Sequence, residues 1–257
     1  MELAPEAAAA GVGLIACDTV TSTNAEALAR GRAGEQGPLW ITARAQTAGR
    51  GRRGRTWVSE PGNLYGTLLL TDPAPPERAA QLSFVAALAT HDAVSACAPA
   101  LGGRLTFKWP NDVLLDGAKL AGILIEAEGT RPLLVAVGIG VNCRHHPAAT
   151  ESLAIDLAAA GAAVPAEELF KALSIGMVHR LQEWEAGFAS IRAAWLARAG
   201  GVGGDLVARL GTREVAGCFE TLDETGRLML RLPDGTLEAI AAGEVFPVAA
   251  PASAMGG

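Results

Sequence analysis

Apolar positions along the chain change period twice, and the changes divide it into three stretches. The first reads mainly as strands. Leu14 to Val20 predicts a short strand, after which Thr21-Ser22-Thr23-Asn24 offers N-cap side chains to a helix over 25–30. Leu39 to Ala45 alternates like a strand and runs into a glycine–arginine segment over 46–56, and Asn63 to Thr71 predicts a buried strand. Arg78 to Cys97 is alanine-rich and long, the pattern of a core helix. Leu105 to Trp109 and Val113 to Leu115 predict strands around a turn, and Gly122 to Ala127 with Leu133 to Asn142 predict neighbouring antiparallel strands.

The second stretch is helical. Leu169, Leu173, Met177, Leu181, Trp184, Phe188, Ile191 and Trp195 recur at helical spacing within 164–200, which predicts two helices broken near Gly187. The run Gly200-Gly201-Val202-Gly203-Gly204 then marks a linker. Beyond it, 206–210, 214–222, 228–232 and 237–240 predict short strands separated by turns at 223–226 and 233–235, a small all-β barrel. The expected organisation is a large α+β domain over 1–203, a β domain over 204–250 and a disordered tail over 251–257.

Composition narrows the classes. The chain has 257 residues, is half hydrophobic and carries a net charge of -6. A sizeable core is available, and the acidic balance argues against a general nucleic-acid binder. Cys17, Cys97, Cys143 and Cys218 lie far apart without metal-ligand spacing, as expected of reduced thiols in a cytoplasmic protein. The first twenty residues have neither the charge nor the apolar length of a signal peptide or membrane anchor. The charge is locally uneven: from Arg44 to Arg55 there are five arginines and no carboxylate.

Four segments could carry chemistry. In Gln46 to Trp57, glycines alternate with Arg50, Arg52, Arg53 and Arg55. Glycine lets backbone amides approach an anion, and arginine donates paired hydrogen bonds to phosphate or carboxylate. Such a loop should be mobile until a ligand orders it; a solvated basic turn or an RNA tether remains open on composition alone. In Lys108 to Glu126, two of the chain's three lysines, Lys108 and Lys119, fall at the ends of one expected hairpin, with a turn at Asp116-Gly117. Lys119 opens an otherwise apolar strand, so it either meets an anion or snorkels from the strand end. Gly138 and Gly140 within a β-rich run are read as a close approach by a ligand or another backbone, with ordinary strand packing equally open on this pattern. The adjacent His145 and His146 would point to opposite faces of a strand, which argues against a metal site.

Together these segments closely resemble the biotin–protein ligase family. The resemblance rests on Ser22-Thr23-Asn24, Gln46, Gly49 through Arg55, Trp57, Asn63-Leu64, Lys108 through Asp112, Lys119 through Ile123 and Gly138 through Asn142, in the family's order and at similar spacing. It extends over residues 14–248. It implies a catalytic domain of mixed sheet and packed helices, related to class II aminoacyl-tRNA synthetase cores, with an SH3-like barrel appended. It further implies that ATP and Mg²⁺ activate biotin as an adenylate, which is passed to a lysine of a biotin carboxyl carrier protein.

By the same resemblance, Ser22, Thr23, Asn24 and Gln46 would contact biotin, and Arg50, Gly51 and Arg52 would fold over biotin and the adenylate phosphate. Lys119 would hold the biotin carboxylate and the α-phosphate, with Lys119 and Arg52 as the catalytic pair. Gly49, Trp57, Asn111, Gly122 and Asn142 would lie toward the nucleotide, and no protein side chain is assigned as a direct metal ligand. Some members carry an N-terminal DNA-binding repressor domain, for which the residues before Ser22 leave no room, so a ligase without repressor activity, DNA or membrane partner is expected, as monomer or homodimer. The alternatives are a lipoate–protein ligase of the same superfamily and a non-catalytic RNA- or anion-binding module built on the arginine loop.

Overall fold

A computed structural model describes residues 1–148 and 153–247; the tail expected after Pro251 lies outside the described residues. The larger of two sheets comprises β1 Gly13–Val20, β2 Leu39–Gln46, β3 Leu64–Thr71, β4 Leu105–Lys108, β5 Asp112–Leu115, β6 Ala118–Glu128 and β7 Leu134–Val141. Its spatial order is β1-β2-β3-β7-β6-β5-β4. β1 and β2 are parallel and every other neighbouring pair is antiparallel, so the sheet is mixed. A parallel pair needs a crossover, and α2 Thr23–Arg32 supplies it between β1 and β2.

The two faces of this sheet are unequal. One packs against α3 Leu82–Cys97, α5 Ala166–Ala186 and α6 Phe188–Leu196, in a core that includes Leu64, Leu68, Val135, Val137, Phe107 and Trp195. Phe107 stacks on Trp195, whose edge meets Phe84. The other face is covered by α2 over Ile41, Leu69, Leu134 and Ala136. Where α2 stops at its N-terminus, that face is left open. The break between α5 and α6 falls at Gly187, whose φ of 148° is open to glycine and strained for other residues.

The smaller sheet is antiparallel: β8 Asp205–Leu210, β9 Arg213–Leu222, β10 Leu228–Arg231, β11 Leu237–Ile240 and β12 Glu244–Pro247, in the order β11-β10-β9-β8-β12. Five short antiparallel strands fit the expected SH3-like module. Its apolar side chains, among them Leu206, Phe219 and Leu228, run continuously into the main core. The Trp109 indole donates to the Gly226 carbonyl at 3.1 Å, and Phe84 lies so close to Gly226 that a Cβ there would come within 2.6 Å of the ring. The two modules are therefore packed, not tethered.

Two local expectations need correction. The glycine run 200–204 reads as a linker, yet it is pinned: Gly200 N donates to Phe107 O, Gly203 N to Phe219 O, and Phe219 N to Gly204 O. The helix expected over 78–97 begins with a 3-10 segment, Pro76–Gln81, and turns α-helical only at Leu82. Pro75 and Pro76 start the segment but withhold backbone donors from its first turn. Two short helices, α1 Pro5–Ala9 and α4 Pro99–Gly102, and the last strand β12 lack a sequence signal strong enough to predict them.

Candidate active site

The open part of the sheet is a cavity of about 580 Å³. Ser22, Thr23, Asn24, Gln46, Arg50, Gly51, Arg52, Trp57, Asn111, Lys119, Gly122 and Asn142 all line it. Of the residues to which the resemblance assigns a contact with biotin or nucleotide, Gly49 alone does not. A Cβ there would sit 2.5 Å from both Ser59 Oγ and Trp57 O, so Gly49 packs beneath the loop instead.

The floor is built by α2 and the strands under it. Ser22 caps α2, accepting from Ala25 N at 3.5 Å, and Ser22, Thr23 and Asn24 are all buried. The Gln46 side chain accepts from Thr23 N at 2.8 Å and passes Nε2 to Ser59 Oγ at 2.8 Å. Thr67 Oγ1 lies 2.8 Å from Thr23 Oγ1 and 2.7 Å from Asn24 Oδ1. Asn24 Nδ2 donates to Leu124 O and to Glu126 Oε2. Asn24 and Gln46 thus spend their polar atoms on neighbours, and Ser22 keeps the least committed hydroxyl.

The two glycines of β7 are explained by what lies over them. A Cβ at Gly138 would be 2.2 Å from Asn24 Oδ1, and one at Gly140 would be 2.7 Å from the Trp57 ring. Side chains, rather than another backbone, make the close approach here. Trp57 also covers Gly122, and its Nε1 is buried with no protein acceptor. Beside it, burial pushes the Tyr65 phenol up to about 12, and the hydroxyl donates to Glu60 O.

Lys108 and Lys119 do not occupy two ends of one hairpin. They lie on the outer strands of the β4-β5-β6 meander, either side of Asp112 on β5. Lys108 is opposite Asp112 in register, and Lys119 Nζ is 2.6 Å from Asp112 Oδ1. A register shift between Val113 and Leu114 breaks the β5–β6 ladder, and Lys119 N bonds outward to Leu153 O. Such a bulge re-aims a side chain. The absence of a Cβ at Gly122 lets the Lys119 stem lie across the sheet, since one would meet Lys119 Cε at 3.2 Å. Lys119 Nζ is also 5.4 Å from the centre of the Trp57 ring. Burial pulls the Lys108 ammonium below the usual lysine range; Asp112 opposes that shift and Lys119 adds to it.

The arginine loop forms the rim. Gly51 N donates to Arg55 O and Trp57 N to Gly49 O, which folds it back on itself. Arg50 pairs with Glu126 at 3.4 Å. Arg52 donates to Asn111 Oδ1 at 3.4 Å and to Gly243 O at 3.1 Å. Burial, and then Arg53, draw the Arg52 guanidinium below its ordinary value, offset by Asp112 and Glu244. The small sheet also enters the cavity through Glu244, Val245 and Phe246 of β12.

Asp112, Lys108, Glu244 and Phe246 are site residues that sequence reasoning did not assign. Asp112 stood at the end of the motif that begins at Lys108 with no role of its own at the site, and β12 carries only four residues. Among the described residues, no group of three or more His, Cys, Asp or Glu side chains gathers as a metal site. His145 faces Pro61 O and His146 faces Asp156, so the two imidazoles serve separate partners.

Residues 14–142 match the biotin/lipoate A/B protein ligase family, and residues 207–246 match the biotin protein ligase C terminal domain. A biotin–[acetyl-CoA-carboxylase] ligase of Paracoccus denitrificans is 48% identical, over 88% of this chain and 96% of its own length. The chain belongs to the biotin/lipoate A/B protein ligase family. With the C-terminal module as well, it is a ligase of the biotin protein ligase type. It is also 34% identical to the bifunctional ligase/repressor BirA of Bacillus subtilis, over 88% of this chain and 71% of that protein. In structure it is similar to the biotin protein ligase of Aquifex aeolicus in complex with biotin and ATP, with a TM-score of 0.75 and 26% identity, covering 91% of this chain and 97% of that one.

Proposed function

We propose that the protein condenses biotin with ATP to biotinyl-5′-adenylate and then transfers biotin to a lysine of a biotin carboxyl carrier domain. One observation carries the reading: a single cavity joins a buried polar floor to two lysines and an arginine rim. Biotin's neutral ureido ring suits the floor at Ser22 and Thr23, with Asn24 and Gln46 orienting them. The carboxylate and the α-phosphate, both anions, suit the Lys119 end.

In the first step the carboxylate attacks the α-phosphorus and pyrophosphate leaves. Lys119, Arg52 and Arg50 offset the repulsion between the anions and the charge that builds on the phosphoryl oxygens. Asp112 holds the Lys119 ammonium at the cavity until those anions compete for it. In the second step the acceptor amine attacks the carbonyl of the mixed anhydride and AMP leaves. The loop over the rim keeps water from the anhydride until then. Asn111, Gly122, Asn142 and Trp57 are assigned to the nucleotide side.

The residues fit Mg²⁺ only as an ion carried on the phosphates. The lining carboxylates Asp112 and Glu244 already face Lys119 and Arg55, and among the described residues no group of three or more His, Cys, Asp or Glu side chains gathers around them. When bound there, the ion supplies further charge neutralisation at the phosphates. We assign the chain a ligase role without transcriptional repression. Support comes from the Paracoccus relative, named as a ligase alone and covered over 96% of its length.

Calorimetry with biotin and with lipoate, followed by pyrophosphate release in the presence of ATP and Mg²⁺, tests the reading. Tight biotin binding and biotin-dependent pyrophosphate are expected. Lipoate preferred over biotin, or RNA bound tightly with no pyrophosphate formed, would overturn it.

A further inference from the structure

The four rim arginines crowd like charges into six residues of chain, and one carboxylate from the other sheet gathers two of them. Arg55 Nη1 lies 2.6 Å from Glu244 Oε1 and Arg55 Nη2 2.8 Å from Oε2, a two-pronged pair. Arg53 Nη1 lies 3.9 Å from Glu244 Oε2. The flanking backbone takes the rest: Arg53 donates to Arg209 O at 3.1 Å, and Arg52 to Gly243 O at 3.1 Å. The Glu244 side chain is only 18% exposed, so it is screened less than a surface carboxylate.

The loop needs such a holder. Arg53 has a φ of 55° and Gly54 a φ of 72°, two successive left-handed residues, of which the first carries a side chain. Left-handed backbone at a residue other than glycine is unfavourable and persists when its surroundings impose it. Isolated surface ion pairs contribute little, but here a bidentate arginine, a second arginine and two carbonyls converge on one strand end.

We propose that Glu244 is a positioning residue of the ligation reaction: from the C-terminal sheet it seats the arginine loop over the cavity. The C-terminal module is then part of the active site, and its β12 sets how much order the loop must still gain when the nucleotide arrives. This inference rests on the proposed ATP-dependent reaction for its kinetic readout, but not for its structural one.

Two measurements on the full chain test it. The first is limited trypsinolysis without ligands, scored as cleavage within 52–55. Glu244→Gln should be nicked there at least about fivefold faster than wild type, and Glu244→Asp at an intermediate rate. The second is steady-state kinetics: Glu244→Gln should raise KM for ATP about tenfold, with KM for biotin and kcat changed less than about threefold. The pair exchange Glu244→Arg with Arg55→Glu should recover part of the protection. Unchanged cleavage and unchanged KM for ATP in a Glu244→Gln protein that melts like wild type would overturn the proposal. Faster cleavage with no ATP-dependent activity in any variant would spare the seat and overturn the reaction assigned to the site.

Discussion

The floor of the cavity and its arginine rim are held by opposite means. The floor is a hydrogen-bond network at a helix N-terminus, in which Thr23, Asn24 and Thr67 are buried and Gln46 is half-buried. Its members come from β2, β3 and the start of α2, the helix that packs on that sheet. The rim is exposed or half-exposed, kinked through left-handed residues and held by charges that reach across to the other sheet. A prebuilt floor suits a neutral ring recognised by fixed hydrogen bonds. A charge-held rim suits polyanions that must enter, react and leave.

That contrast can be broken at several places. The largest effect is expected between the two regions, at Lys119. Lys119→Ala should slow biotin-dependent pyrophosphate release by on the order of 10²–10³, read in single-turnover assays, because it removes a main electrostatic group. Arg52→Ala should slow the same step by on the order of 10-fold to 10²-fold, with biotin affinity in calorimetry nearly unchanged. On the floor the order reverses. Asn24→Ala leaves Thr67 and Glu126 short of buried partners, and should cost about 1–3 kcal/mol in denaturant unfolding and weaken biotin binding in parallel. The smallest effect is expected from salt. Raising ionic strength shortens the screening length below about 10 Å, which should loosen the rim and raise KM for ATP a few-fold, while biotin affinity stays level.

The sheet was legible because its strands carry a period of two or run apolar throughout. β2, β3 and β7 appear within a residue or two of their expected ends. The loop stood out by its glycines and arginines, though composition alone left a solvated basic turn equally open, and Gly138 and Gly140 pointed no more to a close approach than to ordinary strand packing. What occupies that space, Asn24 and Trp57, follows from packing between segments more than eighty residues apart, which no local pattern records. Glu244 was missed for the same reason, whereas Asp112 lies only a few residues from Lys108 and Lys119 and needed the fold of the meander to set it between them. A carboxylate's worth depends on the cation it meets, and Glu244 meets Arg55 only because β12 closes the small sheet beside the rim. The pinned glycine run is the converse case: local composition signals freedom, and hydrogen bonds to Phe107 and Phe219 remove it.

The most direct test of the account is the mass of an acceptor. The purified chain, incubated with ATP, Mg²⁺, biotin and a biotin carboxyl carrier domain, should place one biotinyl group on a single acceptor lysine, identified by tandem mass spectrometry. Omitting ATP, or substituting Lys119→Ala, should leave that lysine bare over the same time. An acceptor unmodified by the wild-type chain, or modified equally by the Lys119→Ala protein, would contradict the account.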